Sequence, residues 1–201
     1  MRKYKVTGII AVFLVISIFF SGCAGVVGTS VCEARGAGKE MLPLESESAE
    51  FIHLLGMGAW ATNLTLSRDG SFHGHYHDTD MGVTGNGYPN GTEYTCDFSG
   101  CFQDVRKIND YTYAMTLASM EADVQGKQWI EDGVLYITEE PAGMAGGKTF
   151  FLYTPDAPLD QLPEDLLFWW GLRYWDEDGT NRLNVFALYN EESHCGFFPA
   201  T

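Results

Sequence analysis

The sequence predicts a single, mainly β domain: an antiparallel meander barrel of about eight or nine short strands with one short late α-helix, or alternatively a β-sandwich. Aromatic residues make up 14% of the 201 residues, and they favour strands. Short runs of alternating apolar and polar residues recur between turns rich in glycine, asparagine and aspartate. Only one long run, late in the chain, carries both the start and the stop signals of a helix.

The strands are predicted to follow one another as hairpins. "WATNLTLS" and "SFHGHYHD" alternate on either side of Asp69–Gly70, a strong two-residue turn signal. A second hairpin is predicted in "EYTCDFSGCFQDV" about Ser99–Gly100, and a third in "QWIEDGVLYI" about Asp132–Gly133. "NDYTYAMTLASM" and "KTFFLYTP" are further strands, and "AGMAGGKT" is predicted to be a loop.

Helix signals occur at two places. Glu50–Leu55 is predicted to form one helical turn that ends at Gly56. The main helix is predicted in "PLDQLPEDLLFWWG", where Pro163 suits the first turn, two acidic residues follow it, and Gly171 ends the run. The chain is then predicted to finish as a hairpin that turns at Asp178–Gly179.

The start of the chain has the composition of an export signal. Basic residues precede the apolar run "GIIAVFLVISIFF", which is shorter than the about 20 residues that span a bilayer. The next residues, "SGC", resemble the lipobox of bacterial lipoproteins, although Phe20 stands where leucine is usual. The resemblance implies a signal peptide over residues 1–22 and a diacylglycerol or palmitate lipid on Cys23. Residues 23–50 then read as a flexible tether and residues 51–201 as the folded domain.

Lipidation and charge define the expected partners. A lipid on Cys23 implies attachment to the extracytoplasmic face of the cell membrane, because two buried acyl chains suffice for stable anchoring. The net charge of −15 excludes nucleic acid, which needs a basic surface. We expect a monomer with no cofactor. We also expect no enzymatic activity, since there is no G-x-S-x-G motif and no plausible catalytic cysteine–histidine pair in the local sequence.

The first predicted long strand resembles the opening of a lipocalin. Gly58, Ala59 and Trp60 match the family's Gly-x-Trp motif, and a meander with a helix before the final strand is also lipocalin-like. The resemblance implies that the tryptophan plugs the closed end of a barrel beneath an arginine, here Arg173 or Arg182. The stretches "DGSFHGHYHDTDMG" and "YPNGTEYTCDFSG" are similar to uncharacterised surface lipoproteins of Gram-positive bacteria, which implies no known activity.

The lipocalin resemblance implies a binding role. The candidate pocket residues are those predicted to point inward: Trp60, Tyr76, Tyr113 and Met115. A barrel of about eight strands can either enclose a ligand or be filled by its own side chains, so the sequence leaves both open. The expected ligand is a small apolar or amphipathic molecule, or else a cell-envelope partner.

The stretch "SFHGHYHDTD" contains His73, His75 and His77 at alternate positions. Side chains alternate between the faces of a strand, and the core claims Phe72 and Tyr76, so the histidines are predicted to face solvent. We therefore expect no metal. The alternative is a metal-binding surface protein, in which two histidines about 6.6–6.8 Å apart along the strand share an ion with a carboxylate from a neighbouring strand.

Asp78 and Asp80 follow the histidines where the strand enters a glycine-rich loop. Aspartates at such positions usually form turns. Paired carboxylates at the mouth of a barrel can also perform acid–base chemistry, which makes an envelope hydrolase the second alternative function.

Four cysteines besides Cys23 occur in a chain that we expect in an oxidising compartment, and they allow three pairings. Cys96 and Cys101 flank "DFSG" and would close a short loop. Cys101 and Cys195 would instead tie an early hairpin to the final strand. We predict the Cys101–Cys195 bridge, because a longer closed loop removes more entropy from the unfolded chain.

Overall fold

The computed structural model describes residues 40–54, 59–124, 126–172 and 179–200. Helix α1 spans Glu164–Gly171, and a short 3-10 turn spans Leu159–Gln161. The strands are β1 Ser48–Leu54, β2 Trp60–Ser67, β3 Ser71–Asp80, β4 Thr92–Lys107, β5 Thr112–Ala122, β6 Gln128–Glu131, β7 Val134–Thr138, β8 Thr149–Tyr153, β9 Ala187–Asn190 and β10 Cys195–Pro199.

Eight of the strands form a closed antiparallel barrel. Their order around the wall is β3-β2-β1-β10-β9-β8-β5-β4, and β4 pairs back onto β3 to close the sheet. Strands that are neighbours along the chain are neighbours in the wall, except that β6 and β7 are inserted between β5 and β8. The predicted meander barrel with a single short helix is therefore confirmed, and the alternative sandwich is excluded.

The barrel begins earlier in the chain than the sequence predicted. Residues 48–54 form strand β1 and not a helical turn, because β1 pairs with β2 on one side and β10 on the other. Leu42 and Leu44, which precede the strand, are 0% and 3% exposed and pack into the main core. The predicted boundary at residue 51 is therefore wrong, since residues from Leu42 onward belong to the folded unit.

Strand β4 is one continuous strand of 16 residues and not a hairpin about Ser99–Gly100. Its register with β3 runs from Asp80 to Ser71 without interruption, so that Gly100 lies opposite Phe72 and Gly74 lies opposite Phe98. A side-chain carbon at either glycine would approach the facing ring to 2.4 Å. These glycines make room for aromatic rings within the sheet, and the predicted turn at Ser99–Gly100 is therefore wrong.

The inserted strands β6 and β7 form a two-stranded hairpin, here called the flap. Its turn is Asp132–Gly133, as predicted, and both residues have positive φ, as a tight two-residue hairpin turn requires. Strand β7 runs parallel to the start of β4, so the flap extends the barrel wall beyond the end of β5. Asn90 holds the turn in place. Its side-chain amide donates to the Asp132 carbonyl, and its backbone N–H donates to the Gly133 carbonyl.

Helix α1 covers the outer face of the last strands. Leu166 and Trp170 of the helix pack in a second apolar cluster with Tyr189 and Phe198, on the opposite side of the wall from the main core. All four residues of β9 are buried as a result. No helix in the described ranges is long and apolar enough to cross a membrane.

The last hairpin turns later than predicted, between β9 and β10 at residues 191–194. In the predicted turn, Gly179 lies outside any strand, and Asp178 lies outside the described residues.

Candidate functional site: the barrel interior, its rim and its outer face

The histidines of β3 lie on the outer face of the wall, as the alternation predicted. Phe72 and Tyr76 on the same strand are 3% and 6% exposed and belong to the main core. His75 pairs across the sheet with Asn63 of β2 and Asp97 of β4. The outer face of this region is therefore polar.

The histidines do not converge on one point. The rings of His75 and His77 are 6.1 Å apart and stack with an angle of 24° between their planes. His75 Nδ1 lies 2.8 Å from Asp97 Oδ1, so this ring is held by the carboxylate, while both groups remain exposed. Among the described residues no three ligating side chains are placed to hold a metal ion. For the metal-binding alternative, the groups that the structure brings close together are His75, Asp97 and the neighbouring ring of His77.

The four pocket candidates occupy different surroundings. Tyr76 and Met115 are buried in the main core, and Tyr113 packs against that core from β5. Trp60 is half-buried at the start of β2, where its ring contacts His53 at 5.1 Å between ring centroids. Burial, followed by the charge of Asp78, raises the pKa of Tyr76 to about 12, so its hydroxyl stays protonated.

The interior is filled by side chains of the barrel itself. Many large side chains are at most 1% exposed, and Phe102, Phe150 and Met115 are examples that lie in the main core. Phe102 stands between Phe72 and Phe150, with ring centroids 4.7 and 4.8 Å away. Phe51, Phe197, Met115 and Met144 occupy the same core. Of the two possibilities that the sequence left open, the described residues show a filled core around Tyr76 and Met115.

The loop between β7 and β8 closes one end of the barrel. Met144 at its centre is 0% exposed and packs in the main core. The Thr62 hydroxyl donates to the Ala142 carbonyl at 2.8 Å, and the Asn190 side-chain amide donates to the Gly143 carbonyl at 2.7 Å. The predicted loop "AGMAGGKT" is thus a lid bonded to β2 and β9, and nothing in its sequence indicated those partners.

His53 is a buried residue whose role the sequence reading missed. It is 2% exposed, and its Nδ1 lies 2.9 Å from the Gly196 carbonyl of β10. A carbonyl only accepts, so Nδ1 carries the proton. Aromatic rings of Trp60, Trp169 and Phe197 surround the imidazole at 4.5–5.1 Å. Burial lowers the pKa of His53, so the imidazole is a neutral link between β1 and β10.

The tryptophan expected to plug the barrel has different neighbours from those that the lipocalin resemblance implied. Trp60 opens the second strand of the barrel, not the first. Arg182 instead pairs with Asp156 at 2.6 Å, and Arg173 lies outside the described residues. The Trp60 ring packs against a histidine, and no contact of Arg182 places it over that ring.

Asp78 and Asp80 are separated by their roles in the fold. The Asp80 carboxylate accepts the amides of Gly82 and Val83 at 2.8 and 3.3 Å, which makes it a turn-forming residue. Asp78 lies between Trp60 and Tyr94 in the sheet register. The structure brings no second catalytic partner to either carboxylate among the contacts described, so an acid–base pair has no support here.

The cysteines do not pair as predicted. Cys195 and Cys96 are free thiols, whereas Cys101 is disulfide-bonded. The Cys101–Cys195 bridge is therefore wrong. Burial is the main cause that raises the pKa of both free thiols, which disfavours the reactive thiolate. The lipidation candidate, Cys23, and the fourth cysteine of the predicted framework, Cys32, lie outside the described residues.

An aromatic pair lies on the exposed flap. The rings of Trp129 and Tyr136 stack across the two strands, with centroids 5.0 Å apart and planes within 9° of parallel. Trp129 is 40% exposed. The sequence predicts these residues in a hairpin but indicates no role for them, because only the barrel shows that the hairpin lies outside the core.

The fold and these surfaces define a closed eight-stranded antiparallel β-barrel of lipocalin-like type, with a packed apolar core inside it and an added flap. The chain was compared with protein-family profiles, with curated proteins and with solved structures, and none of them matches it. The likeness to lipocalins consequently rests on the barrel alone, and function has to be argued from the surfaces.

Proposed function

We propose that this protein is a lipid-anchored extracytoplasmic binding protein that recognises a cell-envelope partner with its outer surface. The observation that carries this proposal is the filled core. Phe51, Phe102, Phe150 and Phe197 are each at most 1% exposed, and Met144 of the loop closes the barrel above them. A barrel that is packed in this way leaves its rim and outer face for recognition.

The outer surface offers groups suited to a partner. The outer face of the wall carries exposed imidazole and carboxylate groups, such as the bonded pair His75 and Asp97, that a partner can contact. The flap adds an exposed tryptophan, a residue type enriched among the energetically important positions of protein interfaces. Apolar and polar groups of this kind are typical of protein recognition, whereas a lipid carrier would need internal space.

The anchoring part of the proposal rests on the sequence. The basic start, the short apolar run and "SGC" support export, cleavage and lipidation of Cys23. The folded unit starts by Leu42, so a segment of 18 residues, 24–41, would link it to the lipidated cysteine.

Lipidation is tested by growing cells with an alkyne-labelled palmitate analogue and isolating the full-length chain. We expect label and membrane association in the native protein and loss of both in Cys23→Ala. A Cys23→Ala chain that keeps the label would contradict the anchor assignment.

The mode of binding is tested by native mass spectrometry of the full chain carrying Cys23→Ala, which prevents lipidation. We expect the bare polypeptide mass. A retained increment of a few hundred daltons would favour a small-ligand carrier, and one zinc ion lost in His75→Ala would favour the metal-binding alternative. Either increment would overturn the surface-partner proposal.

A further inference from the structure

Strand β6 is an open edge in a protein that otherwise has closed its sheet. Each barrel strand has a neighbour on both sides, because β3 and β4 pair to complete the ring. Strand β7 lies between β4 and β6. Within the described residues β6 therefore pairs on one side only, with β7. A barrel removes edges, so this one is an addition to the fold and not a consequence of it.

The flap turn determines which backbone groups of β6 face outward. In a two-residue hairpin the residues that flank the turn, Glu131 and Val134, exchange both hydrogen bonds, and bonded and non-bonded pairs then alternate along the ladder. Trp129 consequently bonds to β7, while the amides and carbonyls of Gln128 and Ile130 point to the open side. The bond from the Thr138 amide to the Lys127 carbonyl fits the same alternation.

The open edge strand is four residues long and carries one charged side chain, Glu131, but it has no proline, lysine or bulge. Proline, inward-pointing charges, bulges and lysines on the edge usually prevent further pairing. Strand β6 is "QWIE", and all four of its side chains are exposed. Trp129 and Ile130 at its centre are 40% and 51% exposed on opposite faces. The strand is therefore competent to accept another strand.

The surroundings of the edge are acidic. Glu131 lies on β6 on the same face as Trp129, Asp132 is in the turn, and Glu93 is the β4 residue paired with Tyr136. The nearby Lys127 ammonium lies 2.7 Å from the Asp123 carboxylate, so its positive charge is offset by this ion pair. Aromatic faces next to carboxylates attract cations, through the ring quadrupole as well as the charge.

We propose that β6 is the docking strand for an extended, basic segment of a partner protein, which adds to the flap as a further strand. Main-chain bonds to Gln128 and Ile130 would supply register, and arginine or lysine side chains on the Trp129 face would meet the ring and Glu131. Pairing with a second copy of this chain is less favourable, because each copy carries a net charge of −15 and would bring its own acidic edge. The inference rests on the proposed function and names the chemistry of the envelope partner.

The test uses the full chain with Cys23→Ala and three short labelled peptides. One peptide alternates arginine with valine, one alternates glutamate with valine, and one is the arginine–valine sequence with every backbone nitrogen methylated. The third peptide keeps the charge of the first but has no amide that can donate to a strand ladder. Binding is followed by fluorescence anisotropy at low and high salt, and amide protection by NMR or hydrogen exchange.

Two flap variants separate main-chain pairing from side-chain effects. Ile130→Pro removes an amide that points to the open side, so the β6–β7 ladder stays intact. Ile130→Thr is its control, because it changes the side chain and keeps the amide. Phe168→Ala is a second control, because it removes an aromatic side chain that is 59% exposed on α1, away from the flap.

We expect the arginine–valine peptide to bind and the other two to bind about tenfold more weakly or not at all. Ile130→Pro should weaken its binding by about tenfold, whereas Ile130→Thr and Phe168→Ala should leave it within about threefold. Binding should also protect the amides of Gln128 and Ile130 from exchange. These results together would support strand addition.

Three outcomes would overturn the inference. The first is equal binding of the backbone-methylated peptide, which would mean charge attraction without strand pairing. The second is binding that is insensitive to Ile130→Pro. The third is a dimer, seen by sedimentation, that is lost in Ile130→Pro and whose amides at Gln128 and Ile130 are already protected. Lipid labelling and native mass are measured separately, so any of these outcomes leaves the proposed function standing.

Discussion

The barrel wall and the flap differ in how their strands are completed. In the wall every strand has two partners, the inward side chains fill one apolar core, and the loop with Met144 seals an end. In the flap the outer strand has one partner among the described residues, and all of its side chains are exposed. The wall therefore supplies stability and the flap supplies an available surface, which is why we look for recognition at the flap. Substitutions in the two regions should differ accordingly.

The largest effect is expected when a ring is removed from the interior. Phe102 is 0% exposed and packs between two other rings. Phe102→Ala should lower the free energy of unfolding by about 3–5 kcal/mol, through lost burial and the cavity left behind. Trp129→Ala on the flap should change it by no more than about 0.5 kcal/mol. Urea unfolding of both variants measures the difference, and equal losses would mean that the flap belongs to the stabilising core.

A second difference concerns glycines that do or do not face a ring. A side-chain carbon at Gly100 would lie 2.4 Å from the Phe72 ring and 2.3 Å from the backbone oxygen of Ser119, whereas one at Gly171 of α1 would meet nothing within 4 Å. Gly100→Ala should cost about 1–3 kcal/mol by overpacking. Gly171→Ala should be neutral or slightly stabilising, because alanine favours helices. Thermal and urea unfolding of the two variants test this. A Gly100→Ala variant as stable as the native protein would show that the Phe72 ring and the neighbouring strand can shift to accept the methyl group.

The link between β1 and β10 makes the stability of the wall depend on pH. Burial lowers the pKa of His53, so the unfolded chain, near the ordinary value of about 6.5, binds a proton more readily than the folded chain. The contribution of neutral His53 is fully present above about pH 6.5 and is lost as pH falls through its folded pKa.

His53→Asn tests this, because its side-chain amide can still donate to the Gly196 carbonyl but does not titrate. We expect the native protein to lose more stability between pH 7.5 and pH 5 than His53→Asn does. Parallel loss in the two proteins, measured by urea unfolding at each pH, would assign the pH dependence to other groups.

The smallest effect is expected at the free thiols. Cys195→Ala should leave the disulfide of Cys101 in place, because Cys195 is not part of it. Reduction should therefore lower the melting temperature of Cys195→Ala and of the native protein by similar amounts. If reduction no longer lowers the melting temperature of Cys195→Ala, Cys195 would be part of the disulfide, as in the Cys101–Cys195 pairing that the structure contradicts.

Short-range patterns in the sequence were sufficient for much of the fold. Alternation placed Phe72 and Tyr76 inside and the histidines of β3 outside, because a side chain's face follows directly from its position along a strand. Asp132–Gly133 predicted its hairpin correctly, since a tight turn needs residues that tolerate positive φ. The late helix was equally local, with Pro163 at its start and Gly171 at its end.

Only the tertiary structure decided what depends on residues far apart in the chain. Residues 48–54 become a strand because β2 and β10 are available on both sides, and Gly100 lies within a strand because the ring of Phe72 fills its place. The bonding of Cys101, the burial of His53 and the seal formed by the loop 141–147 likewise depend on distant partners. The open edge of β6 is the same kind of property, because a strand's sequence cannot state which of its sides the rest of the chain will leave unpaired.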